Sequence, residues 1–152
     1  MLKIALDDLS AHIGELIGHS EWTHVSQEMI QAFADATGDH QWIHLDVERA
    51  AAESPWKSTV AHGFLTASLI PRLNATVIDV TGKAASINYG FNKLRFPAAV
   101  RSGSDIRSRV ELQDVSAVDS QRVLASYLTT IEIKGEDKPA CVAECLVMYI
   151  RA

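Results

Sequence analysis

A chain of 152 residues has the length of one ordinary domain, enough to bury most of the surface its unfolded form exposes. With 47% apolar and 22% charged residues and no low-complexity tract, the composition argues against disorder. A net charge of −5 without a basic run argues against a nucleic-acid partner, and no apolar stretch runs uninterrupted to membrane-spanning length.

The first twenty residues, MLKIALDDLSAHIGELIGHS, meet Asp7 and Asp8 early and lack the apolar run and small-residue cleavage site of a secretory signal. A strand is expected near Trp22 to Val25. Ser26 then opens a helix: Met29, Ile30, Phe33, Ala34 and Ala36 recur at helical spacing, Ser26 is a good N-cap, and Gly38 is a natural stop. The segment Gly38 to His44, GDHQWIH, follows as a loop. Asp46 can cap a second, short helix through Ala50 to Glu53, which Pro55 must end.

After a loop around Trp56 to Ala61, the run GFLTASLIPRLNATVI (Gly63 to Ile78) is apolar on nearly every side, as a helix enclosed by other structure should be. The second half changes to a period of two. Strands are expected over Ser86 to Phe96, Asp105 to Leu112, Arg122 to Ile133 and Ala140 to Ile150, with a turn at Lys134 to Pro139. Cys141 and Cys145 lie four apart in the closing strand, a spacing that suits neither a disulfide framework nor a C-x-x-C site; as reduced core thiols they fit a cytoplasmic protein. Helices followed by consecutive strands predict one α+β domain spanning residues 1–152, an antiparallel sheet of about five strands packed on one buried helix. The edges of so small a sheet need cover, commonly found by dimerising.

The chemistry-bearing residues gather in GDHQWIH. An aspartate and a histidine between two helix ends most often serve as a cap and a hydrogen-bonded side chain, but they are also the residue types of an acid/base pair. His40 and His44 have the i, i+4 spacing of metal ligands on a helix; Gly38 interrupts the helix just before them and no third ligand has a defined spacing, so no metal is expected. Trp42 is expected to pack against or floor the site. On the strand from Ser86, alternation sets Asn88, Gly90 and Asn92 on one face, opposite Tyr89, where the amides are placed to meet a ligand. Lys57, Lys93, Arg95 and Arg101 offer a local basic patch for an anionic, nucleotide-tailed thioester.

The combination FADATGDHQWIHLD (Phe33 to Asp46) with AHGFLTASL (Ala61 to Leu69) resembles the MaoC-like hydratase family, and INYGFNKLRFP and KPACVAECLVMY resemble its nodulation-N-like branch, so the likeness covers nearly the whole chain. It implies the hotdog fold, a sheet wrapped around a central helix. It implies (R)-specific hydration of a trans-2-enoyl-CoA, or of the acyl-carrier thioester, by a cytoplasmic homodimer without metal or redox cofactor. The family's acid/base pair falls on Asp39 and His44; its glycine at the start of the central helix, whose N–H faces the thioester oxygen, falls on Gly63, with His62 before it holding the loop. Trp42, Asn88, Asn92 and Arg95 complete the expected substrate contacts. Where many relatives carry Asn-Pro inside the pair, this chain has Gln41-Trp42; Pro71 stands where some place a serine late in the central helix, and Ala99 where a second proline is common. Two alternatives remain open at this point: an acyl-CoA thioesterase, which has no need of His44, and an acyl-thioester-binding subunit that does not turn over.

Overall fold

In the computed structural model, which describes residues 1–152, eight strands and four α-helices form a sheet wrapped around one helix. The strands are β1 (Leu2–Ala5), β2 (Leu16–His19), β3 (Thr23–Val25), β4 (Ile78–Thr81), β5 (Lys83–Arg95), β6 (Ser104–Ala117), β7 (Arg122–Ile133) and β8 (Cys141–Arg151). The helices are α1 (Gln27–Thr37), α2 (Trp42–Leu45), α3 (Val47–Glu53) and α4 (Gly63–Asn74), with a 3-10 helix at Leu6–His12. The main sheet runs β2-β6-β7-β8-β5, antiparallel throughout, and β3 joins it by pairing with the start of β6. This is the expected α+β hotdog arrangement, with six strands in the main sheet.

The alternating pattern does along β7 what period two requires. Val123, Ala125, Tyr127, Thr129, Ile131 and Ile133 are all buried, and the residues between them are half-buried. They face α4, whose Leu65, Leu69, Ile70 and Leu73 join Ile106, Val110 and Leu112 of β6 in one core. The helix punctuation also follows local chemistry. Ser26 Oγ accepts from the Met29 N–H at 3.2 Å, Asp46 accepts from the Arg49 N–H at 3.0 Å, and Gly38 closes α1 at φ 80°, a left-handed conformation suited to glycine.

Four expectations need correction. The segment GDHQWIH is not all loop, because Trp42–Leu45 forms a helical turn that abuts α3. The central helix ends at Asn74 rather than reaching Ile78: the Val77 N–H turns back to the Asn74 carbonyl, and Ile78–Thr81 leaves as β4 to pair in parallel with β1. Nor is α4 enclosed on every side, since Phe64 is 67% exposed and Ser68, Pro71 and Arg72 continue an open stripe at helical spacing. Finally, β5 does not alternate cleanly, because register shifts fall between Asn88 and Gly90 and between Phe91 and Lys93. No helix is long and apolar enough to cross a membrane.

Candidate active site

Three elements converge at the start of α4. The stop of α1 at Gly38 releases Asp39, the turn of α2 carries His44, and the segment Val60 to His62 delivers the chain into α4. One oxygen or nitrogen from each of Asp39, His44 and His62 lies within 4.8 Å of the others. Asp39 is the open member, its side chain 57% exposed, while His44 and His62 are 7% and 3% exposed.

Each histidine is tied by one ring nitrogen to a backbone carbonyl. His44 Nδ1 lies 2.6 Å from the Val60 oxygen, and a carbonyl only accepts, so the proton sits on Nδ1 and Nε2 keeps a free lone pair. His62 Nε2 donates to the Asp39 carbonyl at 2.9 Å, which holds the loop against the helix start and leaves Nδ1 buried without a partner. The two imidazoles stack, with centroids 3.7 Å apart and planes 23° from parallel. Burial lowers the His44 pKa; the Val60 carbonyl opposes that shift and the stacked His62 adds to it. His44 therefore rests neutral, as a proton acceptor beside a carboxylate.

Asp39, His44 and His62 form a group of metal-ligating types, which the sequence does not announce. Ring lone pairs lie in the ring planes, however. Two rings stacked at 3.7 Å with planes so nearly parallel send them alongside one another, not to a common point at the roughly 2.1 Å a metal needs. His40 is elsewhere, paired outward with Asp35 at 3.0 Å, so the i, i+4 pair is not assembled.

Gly63 is the first residue of α4, where an N–H has no intrahelical acceptor and the positive helix end favours a developing negative charge. It lines a cavity of about 480 Å³ together with His44, Thr66, Phe96 and Arg101. A Cβ on Gly63 would stand 2.9 Å from the Phe96 ring, so the bare backbone is what admits that ring. Trp42 lines no part of this cavity; its ring lies under the Arg49 guanidinium at 4.1 Å. Asn88 borders a second, larger cavity along α4, whereas Asn92, which falls in the register shift between Phe91 and Lys93, and Arg95 border neither. Arg95 Nη1 donates to the neighbouring Leu94 carbonyl.

The support around the site is mostly invisible in sequence. Gln27, in the first turn of α1, donates Nε2 to the His44 carbonyl at 2.7 Å, and its Oε1 accepts from the Thr59 hydroxyl at 2.6 Å. One side chain thus clamps α2 to the segment that supplies Val60. Its signal in sequence is an amide at a helix start, which does not distinguish a clamp from a solvated residue.

Residues 8–133 match the family model described as a MaoC like domain. The chain is 50% identical over 143 residues to 3-hydroxyacyl-thioester dehydratase Z of Mycobacterium tuberculosis, covering 94% of each chain. It is 41% identical to nodulation protein N of Rhizobium meliloti, over 97% of this chain and 92% of that one. Among solved structures, an unliganded R-hydratase from Pseudomonas aeruginosa superposes with a TM-score of 0.70 at 27% identity, over 91% of this chain and 83% of that one. With a hotdog sheet around α4, an aspartate and a neutral histidine at that helix's start, and these relatives along nearly its full length, the chain belongs to the MaoC-like dehydratase family.

Proposed function

We propose that this protein hydrates a trans-2-enoyl-CoA, or the acyl-carrier thioester, to the (R)-3-hydroxyacyl thioester and catalyses the reverse dehydration. The observation that supports the reading is the Nδ1–H bond from His44 to Val60, which leaves Nε2 unprotonated in a group whose ligand atoms, with those of Asp39 and His62, lie within 4.8 Å of one another. A water held between two acceptors donates to both and turns its lone pair outward, toward C3 of the substrate. The pair takes one proton as the C–O bond forms and returns one to C2 on the same face; help of this kind is worth about 10² to 10⁴-fold. The enolate-like oxygen that grows on the thioester accepts from the Gly63 N–H, a contact worth roughly 10² to 10³-fold. His62 positions Asp39 through its carbonyl. The substrate's handle meets the exposed cations Lys93, Arg95 and Arg101.

The working unit is a homodimer of this single domain. Support comes from β5, which ends the sheet with one edge unpaired while Ile87, Tyr89 and Phe91 are 45–62% exposed beside it.

The deciding measurement is loss of the enoyl-thioester absorbance of crotonyl-CoA, with free thiol followed in parallel. The expected result is absorbance loss without thiol release in the wild type, reduced at least about 100-fold in both Asp39→Asn and His44→Ala. Thiol release would replace this reading with thioester hydrolysis.

A further inference from the structure

His44 sits on α2, a single turn of four residues with no side-chain cap at its start. One turn is too short to hold its own orientation, so the place of the imidazole depends on what ties the turn to the rest of the chain. The carbonyls at the end of a helix run out of intrahelical donors, and Gln27 Nε2 supplies one to the His44 carbonyl at 2.7 Å. Gln27 is the first residue of α1, an eleven-residue helix capped by Ser26 and anchored in the core by Ile30. The short turn is thus tied to a longer, anchored helix.

The direction of each bond is forced. The His44 carbonyl only accepts, so the amide presents Nε2 to it and Oε1 to Thr59; the Thr59 hydroxyl, 2.6 Å away, must then donate. Thr59 is buried, and its own carbonyl accepts from the Ser102 N–H at 2.9 Å. The next residue is Val60, whose N–H donates to the Ile43 carbonyl at 3.0 Å and whose oxygen takes the His44 Nδ1 proton at 2.6 Å. A closed ring of contacts results: the His44 carbonyl to Gln27, Gln27 to Thr59, Thr59 along the chain to Val60, and Val60 back to the His44 imidazole. Neither Gln27 nor Thr59 lines either cavity, so they act on the reaction only through His44.

We infer that Gln27 and Thr59 are positioning residues for the reaction: by fixing α2 against the segment that carries Val60, they keep the His44 proton on Nδ1 and leave Nε2 free to accept. An imidazole released from Val60 can carry its proton on either nitrogen, and one protonated on Nε2 has no lone pair to offer there. The inference rests on the reading of this protein as an acyl-thioester hydratase and names two residues outside the cavity on which that site depends.

Two readouts on Gln27→Met, Thr59→Val and Thr59→Ser test it. Gln27→Met keeps the size of the side chain and deletes both bonds; Thr59→Val removes the hydroxyl from a side chain of the same shape, and carries the test if the first variant does not fold. In both, kcat for crotonyl-CoA hydration is expected to fall about 10- to 100-fold with KM within about twofold of wild type, while Thr59→Ser, which keeps the hydroxyl, restores kcat. The second readout is the His44 tautomer, from proton–nitrogen NMR correlations on protein carrying isotope-labelled histidine, well above the ordinary histidine pKa, with the His44 signals assigned by their loss in His44→Gln. Wild type and Thr59→Ser should show the Nδ1–H form, Gln27→Met and Thr59→Val a mixture or the Nε2–H form. A wild-type kcat in both disrupting variants, a loss that falls on KM, a tautomer that does not change, or a Thr59→Ser variant as impaired as Thr59→Val overturns the inference. The tautomer readout needs no turnover, so a wild type that leaves crotonyl-CoA untouched counts against the hydratase reading while the spectra still decide the role of the two residues.

Discussion

At the scale of single residues, the site turns on which nitrogen of His44 carries the proton. The Val60 carbonyl claims the Nδ1 proton, and burial lowers the pKa, so Nε2 stays available as pH falls below the ordinary histidine value of 6.5. The acid limb of kcat/KM for crotonyl-CoA should therefore have its midpoint below 6.5, and a midpoint at or above 6.5 would contradict the assignment of His44 as the titrating acceptor. The same shift carries a stability cost in acid. Below 6.5 the unfolded chain binds the proton more readily than the folded one, so His44 progressively destabilises the fold as pH falls through that range. Asp39 and His44 were legible as candidates because residue type marked the segment and the family resemblance singled out the pair. The Val60 carbonyl and the Gln27 clamp were not: every residue has a carbonyl, and a glutamine's partner is set by what the fold brings near it.

At the scale of elements, α1 is bounded by two local devices whose removal should have different consequences. Ser26→Ala deletes the cap on the Met29 N–H and should cost about 1 kcal/mol in urea unfolding, with hydration of crotonyl-CoA retained. Gly38→Ala forces a Cβ into the left-handed conformation at φ 80° where nothing lies within 4 Å, so its cost of about 1 kcal/mol is conformational. Because Gly38 sets the direction of the following residue, that variant should also lower activity by misplacing Asp39. Equal activity in both variants would show that the α1 stop does not position the site. These caps were readable because capping acts over three or four residues. The β1–β4 pair was missed for the opposite reason: each strand has four residues, and Leu2 finds its register only against Ile78.

At the scale of the whole molecule, the sheet ends on β5 with apolar side chains beside an unpaired edge, and the stripe of α4 that begins at Phe64 is open as well. In the proposed homodimer, a second copy pairing along β5 would cover that edge. Light scattering should give twice the chain mass at micromolar concentration, and the double substitution Ile87→Glu with Tyr89→Glu should return the mass to that of one chain. A wild-type monomer at that concentration would rule the dimer out.

Period and spacing alone determined the order of α1, α3, α4 and the long strands β5 to β8, the buried face of β7 and the two ends of α1, because each depends on neighbours a few residues away. Spacing also brought Asp39 and His44 into one short segment. Tertiary structure alone decided that His62 stacks on His44, that Trp42 turns to Arg49, that bulges break the face of β5, and that Asn74 meets Thr129 across the core. Those contacts join residues from 7 to 55 positions apart, and the packing of α4 into the sheet, which no local pattern encodes, is what brings most of them within reach.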